Sequence, residues 1–70
     1  MNAEFVRSLL KNQPFEPFIV KMSNGTAYEV KHPECGMVAG ARLIVYEPET
    51  DRVGICSLLH VNDITMKQPA

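Results

Sequence analysis

The first apolar pattern in the chain has the period of an α-helix. From Phe5 to Leu10, apolar residues recur at positions i, i+1, i+4 and i+5, which places them on one stripe of a helix. Asn2, just before this stretch, is a residue type that caps helix N-termini. Pro14 disfavours helical backbone at the residue before it. The pattern therefore predicts a helix over about residues 3–12.

The second pattern alternates apolar and polar positions around Asn24-Gly25, which is typical of a β-hairpin over residues 18–31. A two-residue turn would pair Val20 with Glu29 and mix the two faces. A three-residue loop, 23–25, pairs Val20 with Tyr28 and collects the apolar side chains on one face. We therefore predict the three-residue loop, with Gly25 in the left-handed conformation.

The third pattern is a strand pair, 42–47 and 52–57, that is apolar on both faces. A four-residue loop pairs Glu47 with Arg52 and Tyr46 with Val53, and we expect Tyr46 to pack in the core. One helix covers only one face of a flat sheet, whereas a curled sheet buries both faces more easily. With a last short strand near residues 61–66, the prediction is an α+β fold, in which the helix precedes a strongly curled antiparallel sheet of about five strands.

Composition and charge narrow the class of protein. Seventy residues make one domain, 1–70, with the sheet over about 18–67 and disorder expected only at the termini. The net charge is −1 and the seven basic residues are spread among acids, so nucleic acid is a possible but not a favoured partner. The N-terminal segment lacks the features of a signal peptide, which predicts a cytoplasmic protein without a membrane partner. Cys35 and Cys56 form no CxxC motif and are expected to be buried, reduced thiols.

One set of polar residues has the chemistry of a site: His32, Glu34, His60 and Asp63. Imidazole and carboxylate groups serve as general bases, as general acids or as ligands of divalent metals. The spacing matches neither HxxxH nor HExxH, and the alternative is that the histidines cap strand ends through backbone hydrogen bonds. We therefore assign no catalytic residue, no metal ligand and no cofactor, and keep the four residues as a candidate ligand or partner site.

Four short motifs together resemble a group of short, uncharacterised bacterial proteins. They are Pro14-Phe15-Glu16-Pro17-Phe18, Asn24-Gly25, Val30-Lys31-His32-Pro33-Glu34 and Leu59-His60-Val61. The resemblance covers most of the chain and implies no activity. The first motif also predicts that Phe15 and Phe18 share one side of an extended segment and fix the helix to the sheet.

The order of elements also resembles that of Sm-like and SH3-like small barrels. Sm-like proteins bind RNA as rings, and in that family the RNA site resembles an Asp/Asn pair in one loop and an Arg-Gly pair in another. This chain contains no Arg-Gly dipeptide, so no RNA-binding residue is carried over. Arg42, at the start of an apolar strand, is expected to be a solvated charge, with anion binding as the alternative.

Three hypotheses about function follow. The first is a non-enzymatic module that binds another protein or a further copy of itself, because the chain is rich in apolar residues and has sheet edges to cover. The second is an Sm-like nucleic-acid-binding protein, which depends on the topology alone. The third is a small metal-binding or enzymatic protein that uses His32 and His60.

Overall fold

A computed structural model of the chain describes residues 1–67, which contain one α-helix and six β-strands. Residues 68–70, which the predicted domain and the predicted disordered C-terminus include, lie outside the described residues. The elements in chain order are α1 (Ala3–Leu10), β1 (Phe18–Met22), β2 (Ala27–Val30), a 3₁₀ turn (Pro33–Cys35), β3 (Gly36–Ala39), β4 (Arg42–Glu47), β5 (Arg52–Ser57), a second 3₁₀ turn (Leu58–His60) and β6 (Val61–Met66).

Helix α1 begins where the sequence predicts and ends two residues earlier. The Asn2 side chain accepts a hydrogen bond of 2.7 Å from the backbone N–H of Glu4, so the predicted N-cap is confirmed. The helix ends at Leu10, and the cap residue Lys11 donates its N–H to carbonyl groups of the last turn. Val6 and Leu9 are buried, which confirms that the apolar stripe faces the core.

The first sheet has the strand order β2-β1-β6, and all its neighbours are antiparallel. Val20 pairs with Tyr28 and Phe18 with Val30, so the predicted register is confirmed. Gly25 has φ = 92°, the left-handed conformation that the three-residue loop requires. The last strand, β6, lies on the other side of β1 and makes β1 the central strand of this sheet.

The second sheet has the strand order β3-β4-β5 and is also antiparallel. Glu47 pairs with Arg52 and Tyr46 with Val53, as the four-residue loop predicts. Leu43, Val45 and Cys56 point to the inner face and are buried. Sheet alternation then directs the intervening residues of β4 and β5 to the outer face.

The predicted fold class, a single strongly curled sheet of about five strands of the Sm-like or SH3-like type, is wrong. Within residues 1–67 the strands form two separate three-stranded sheets, neither of them closed or strongly curled. After β2 the turn Pro33–Cys35 redirects the chain, so β3 pairs with β4 and not with β2. The prediction also assumed that both faces of the β4–β5 hairpin are covered, and the outer face is not.

The core lies between the two sheets and α1. Its buried residues include Val6 from the helix, Phe18, Val20 and Val30 from the first sheet, and Leu43 and Val45 from the second. Phe15 packs on the core with its ring centroid 6.1 Å from that of Phe18, which agrees with the prediction that the two rings share one side of this segment. Cys35 and Cys56 are buried and form no disulfide, in agreement with the prediction.

Neither the helix nor the 3₁₀ turns within residues 1–67 have the length and apolar character needed to cross a membrane.

Candidate functional site

The four polar residues singled out in the sequence are all exposed, and they lie in two places. His32 follows β2 and Glu34 lies in the adjoining 3₁₀ turn. His60 ends the second 3₁₀ turn, and its backbone carbonyl accepts a 2.8 Å hydrogen bond from Ser23 N–H. Asp63 lies in β6, opposite Lys21 of β1.

These two places are at opposite ends of the first sheet. Val30, two residues before His32, pairs with Phe18 at one end of β1. Val61, the residue after His60, pairs with Met22 at the other end. Because β1 is about 13 Å long, the two imidazoles do not converge on one ion. The described residues contain no group of three or more His, Cys, Asp or Glu side chains that could hold a metal.

His60 borders a surface cavity. This cavity, about 410 Å³, is an open groove between β5 and the β1–β2 loop, and its lining is Met22, Ser23, Asn24, Ile55, Ser57 and His60. The imidazole is the one titratable side chain in that lining. Ligand sites normally combine several convergent polar groups in an enclosed pocket. The groove therefore has the size of a ligand site, but it is open and its lining contains a single titratable side chain.

Another surface cavity, of about 70 Å³, lies where the two sheets meet and is lined by Glu29, Lys31, Glu47, Pro48, Glu49 and Thr50. An ion pair between Lys31 and Glu49 bridges β2 and the β4–β5 loop beside it. A second ion pair joins Lys67 Nζ to Glu29 Oε2 at 2.7 Å. This volume holds no more than a few water molecules, so we interpret the region as a structural contact between the sheets.

Polar side chains from the second sheet satisfy the outer edge of β2. Glu29 N–H donates to Glu47 Oε2 at 3.0 Å, and the Ala27 carbonyl accepts from Arg52 Nη2 at 2.9 Å. Glu47 and Arg52 are cross-strand partners and pair with each other at 2.5 Å. A strand edge left with unpaired groups invites association with another chain, and these contacts prevent it along β2.

Tyr28 and Gly54 pack beside the contacts that Glu47 and Arg52 make with β2. The Arg52 guanidinium lies 4.5 Å from the centroid of the Tyr28 ring. That ring fills the space above Gly54, where a Cβ atom would lie 2.2 Å from Tyr28 Cε1. We call Tyr28, Glu47, Arg52 and Gly54 the inter-sheet cluster. The hydrogen bond from Arg52, with the Glu29 N–H, lowers the pKa of Glu47.

The outer face of the second sheet is apolar and exposed. The term outer face refers here to five residues, which are Met37, Ile44, Tyr46, Val53 and Ile55. The exposed fractions are 56% for Met37, 39% for Tyr46, 61% for Val53 and 68% for Ile55. The prediction that Tyr46 packs in the core is therefore wrong. Met37, Ile44 and Ile55 form one row across the three strands, and Tyr46 and Val53 form the next.

Opposite charges lie at the two ends of this face. Arg42, the first residue of β4, is exposed at one end beside Ala39 and Ser57. This position agrees with the predicted solvated charge. Asp51 lies at the other end, where its carboxylate accepts a 3.0 Å hydrogen bond from the Tyr46 hydroxyl. That hydrogen bond and the negative charge of Asp51 raise the pKa of Tyr46.

Comparison with known proteins adds no family to these observations. No protein-family model, no curated protein and no solved structure matches the chain. The resemblance to short bacterial proteins therefore stays a prediction from the sequence motifs.

The outer face was missed as a candidate site because its apolar residues were assigned to a covered surface. The signal that could have identified it is the alternation itself, which is apolar on both faces of one hairpin.

Proposed function

We propose that this chain is a non-enzymatic protein-interaction module that binds through the outer face of the second sheet. The observation that carries the proposal is the exposure of four apolar side chains, Met37, Tyr46, Val53 and Ile55, around the half-buried Ile44 on one face of the sheet. Soluble proteins rarely expose large contiguous apolar patches, and those that they do expose are often binding sites.

The chemistry of the face favours a protein partner. Met and Tyr are enriched at protein interfaces, whereas charged residues are depleted from interface centres. Met37 and Tyr46 belong to the outer face, and its charges, Arg42 and Asp51, lie at the two ends. A phosphate backbone would require clustered basic residues, and Arg42 is the one basic residue among the outward positions of β3, β4 and β5.

The types of the buried side chains support a binding role and not a catalytic one. The buried side chains of residues 1–67 are apolar or cysteine, and none is an acid, a base or a histidine. Enzyme sites commonly shift pKa values through buried titratable groups. The shifts found here belong to an exposed tyrosine, to the Glu47–Arg52 pair and to the thiol of Cys56.

Site-specific photo-crosslinking in cells tests this proposal. A photoreactive amino acid replaces Val53, an exposed residue of the outer face, in the full chain. A matched chain carries the same group at Ser8, which is exposed on α1. We expect discrete protein adducts from position 53 and none from position 8. Adducts from neither position, both in cells and with the purified, folded chains at about 1 mM, would refute the proposed function.

A further inference from the structure

We infer that the partner is a second copy of this chain, packed face to face through the outer face of the second sheet about a two-fold axis perpendicular to the strands. This inference depends on the proposed function, because it names the partner of the same surface. Symmetric homodimers are the most common oligomers, and their interfaces must be complementary to themselves. The outer face has that property.

Symmetry decides how the charges meet. For two aligned sheets that face each other, the two-fold axis lies in the plane between them, close to either the strand direction or the direction across the strands. An axis along the strands places Arg42 against Arg42 of the other copy and Asp51 against Asp51. An axis across the strands reverses their direction and places Arg42 of each copy opposite Asp51 of the other. Opposite charges at the two ends therefore select the second arrangement.

The apolar rows agree with this choice. With the axis across the strands, the row of Met37, Ile44 and Ile55 faces the row of Tyr46 and Val53 of the other copy. Ile44 then faces Tyr46 of the other copy and Ile55 faces Val53, while Met37, on the edge strand β3, lies at the margin of the contact. Arg42 and Tyr46 both lie on the central strand β4, and Asp51 is bonded to Tyr46 from the β4–β5 loop. The usual rotation of about 30° between packed sheets therefore moves the opposite charges apart only a little.

The size of the face sets the strength of the contact. Three strands spaced by about 4.8 Å and six residues long give a footprint of about 300 Å². Standard interfaces bury about 800 Å² on each partner, and smaller ones belong to transient complexes. We therefore expect a rapidly reversible dimer that forms at chain concentrations of roughly 0.1–1 mM.

Sedimentation equilibrium over this concentration range, at low ionic strength, measures the dimer directly. We expect Ile55→Thr to raise the dissociation constant at least tenfold. Phe5→Ser, which removes an exposed aromatic side chain from α1, should leave it unchanged. Asp51→Asn keeps a residue that tolerates the positive φ of 54° at this position and removes the charge. Since two exposed ion pairs are lost, it should weaken the dimer about 2- to 30-fold.

A mixture of two charge variants tests the direction of the axis. Arg42→Glu gives a copy that is acidic at both ends, and Asp51→Lys gives a copy that is basic at both ends. Each should self-associate more weakly than the native chain, whereas an equimolar mixture should form the heterodimer. Heterodimer formation in the mixture should disappear in about 1 M salt, where charges are screened within a few ångströms. Thermal melts of each variant verify that it is folded.

Three outcomes would overturn the inference. A native chain that stays monomeric at 1 mM excludes the second copy, and the crosslinks from position 53 to a different protein would then keep the proposed function. Tighter association of Asp51→Asn would show that like charges meet, which excludes this two-fold axis. Dimerisation unaffected by Ile55→Thr would place the contact elsewhere. Loss of all adducts from position 53 would instead remove the proposed function itself.

Discussion

Replacing Gly54 by alanine is expected to destabilise the protein by about 1–2 kcal/mol. Gly54 is a buried strand residue whose missing side chain makes room for the Tyr28 ring. An added Cβ would lie 2.2 Å from Tyr28 Cε1, 2.6 Å from Cζ and 2.8 Å from Cδ1. The ring must move by more than 1 Å to regain ordinary contact, and the Arg52 guanidinium that lies on it has to move as well.

The magnitude follows from two opposing terms. Overpacking of this kind usually costs about 1–3 kcal/mol. Alanine regains about 0.5–1 kcal/mol, because glycine in a strand loses more backbone freedom on folding. The net loss of about 1–2 kcal/mol is a large share of the unfolding free energy, which is roughly 3.5–10 kcal/mol for a 70-residue domain. It corresponds to a fall in melting temperature of about 4–16 °C.

Chemical and thermal denaturation of four variants separates the collision from general effects. Gly36→Ala is the matched control: Gly36 is also a strand glycine, and its added Cβ would meet the flexible tip of Leu10 at 2.9 Å. We expect a smaller loss there. In a Tyr28→Ala background, Gly54→Ala should be neutral or stabilising. An undiminished cost in that background, or a Gly54→Ala protein as stable as the native one, would refute the role assigned to the ring.

Three further predictions concern other contacts. The pKa of Glu47 lies below its ordinary value of 4.5, so its ionised form stabilises the fold at neutral pH. That stabilisation is lost as the pH falls below about 4.5 and through the folded-state pKa. Glu47→Gln should flatten the dependence of the unfolding free energy on pH below about 4.5, and an unchanged curve would contradict this. Asn2→Ala removes the helix cap and should cost about 1 kcal/mol in denaturant titration, whereas Asn2→Ser should cost little. Burial raises the pKa of Cys56, so in a Cys35→Ser chain a thiol reagent should label it far more slowly when native than when unfolded; equal rates would show that the thiol is accessible.

Local features of the fold could be predicted from the sequence. The N-cap at Asn2, the left-handed Gly25 and both hairpin registers depend on residues close together in the chain. In each hairpin a shift by one residue would exchange the buried and exposed faces, so the hydrophobic pattern allows one register. These predictions were correct because one local choice was much better than its alternatives.

The division into two sheets could not be predicted in the same way. Whether the outer edge of β2 meets another strand or the side chains of Glu47 and Arg52 depends on residues about 20 positions away along the chain. A hairpin that is apolar on both faces also does not specify which face is covered. The prediction assumed that both were, and the exposure of Val53 and Ile55 shows that this assumption was wrong.

The sequence was equally unable to predict whether the candidate site residues His32 and His60 lie close together. His32 and His60 are both histidines near strand ends, and the sequence contains no information on which ends lie together until the pairing of β6 is known. Because β6 runs antiparallel to β1, the two residues lie at opposite ends of that strand. The sequence shows that both faces of the β4–β5 hairpin are apolar, but only the tertiary packing shows which of the two faces is left uncovered.

The pairing of the first and last strands has a consequence for how the chain folds. Met22 pairs with Val61 in one direction and bonds to Thr26 in the other. The segment enclosed by the β1–β6 pair is roughly ten times longer than the hairpin loop, so its closure costs about 2 kcal/mol more in chain entropy. We expect the two hairpins to form first and β6 to join last, as amide-exchange labelling during refolding would show by late protection of β6. On the ribosome the first sheet is then completed only after Met66 has left the exit tunnel, and until that moment β1 exposes an unpaired edge that a chaperone can bind.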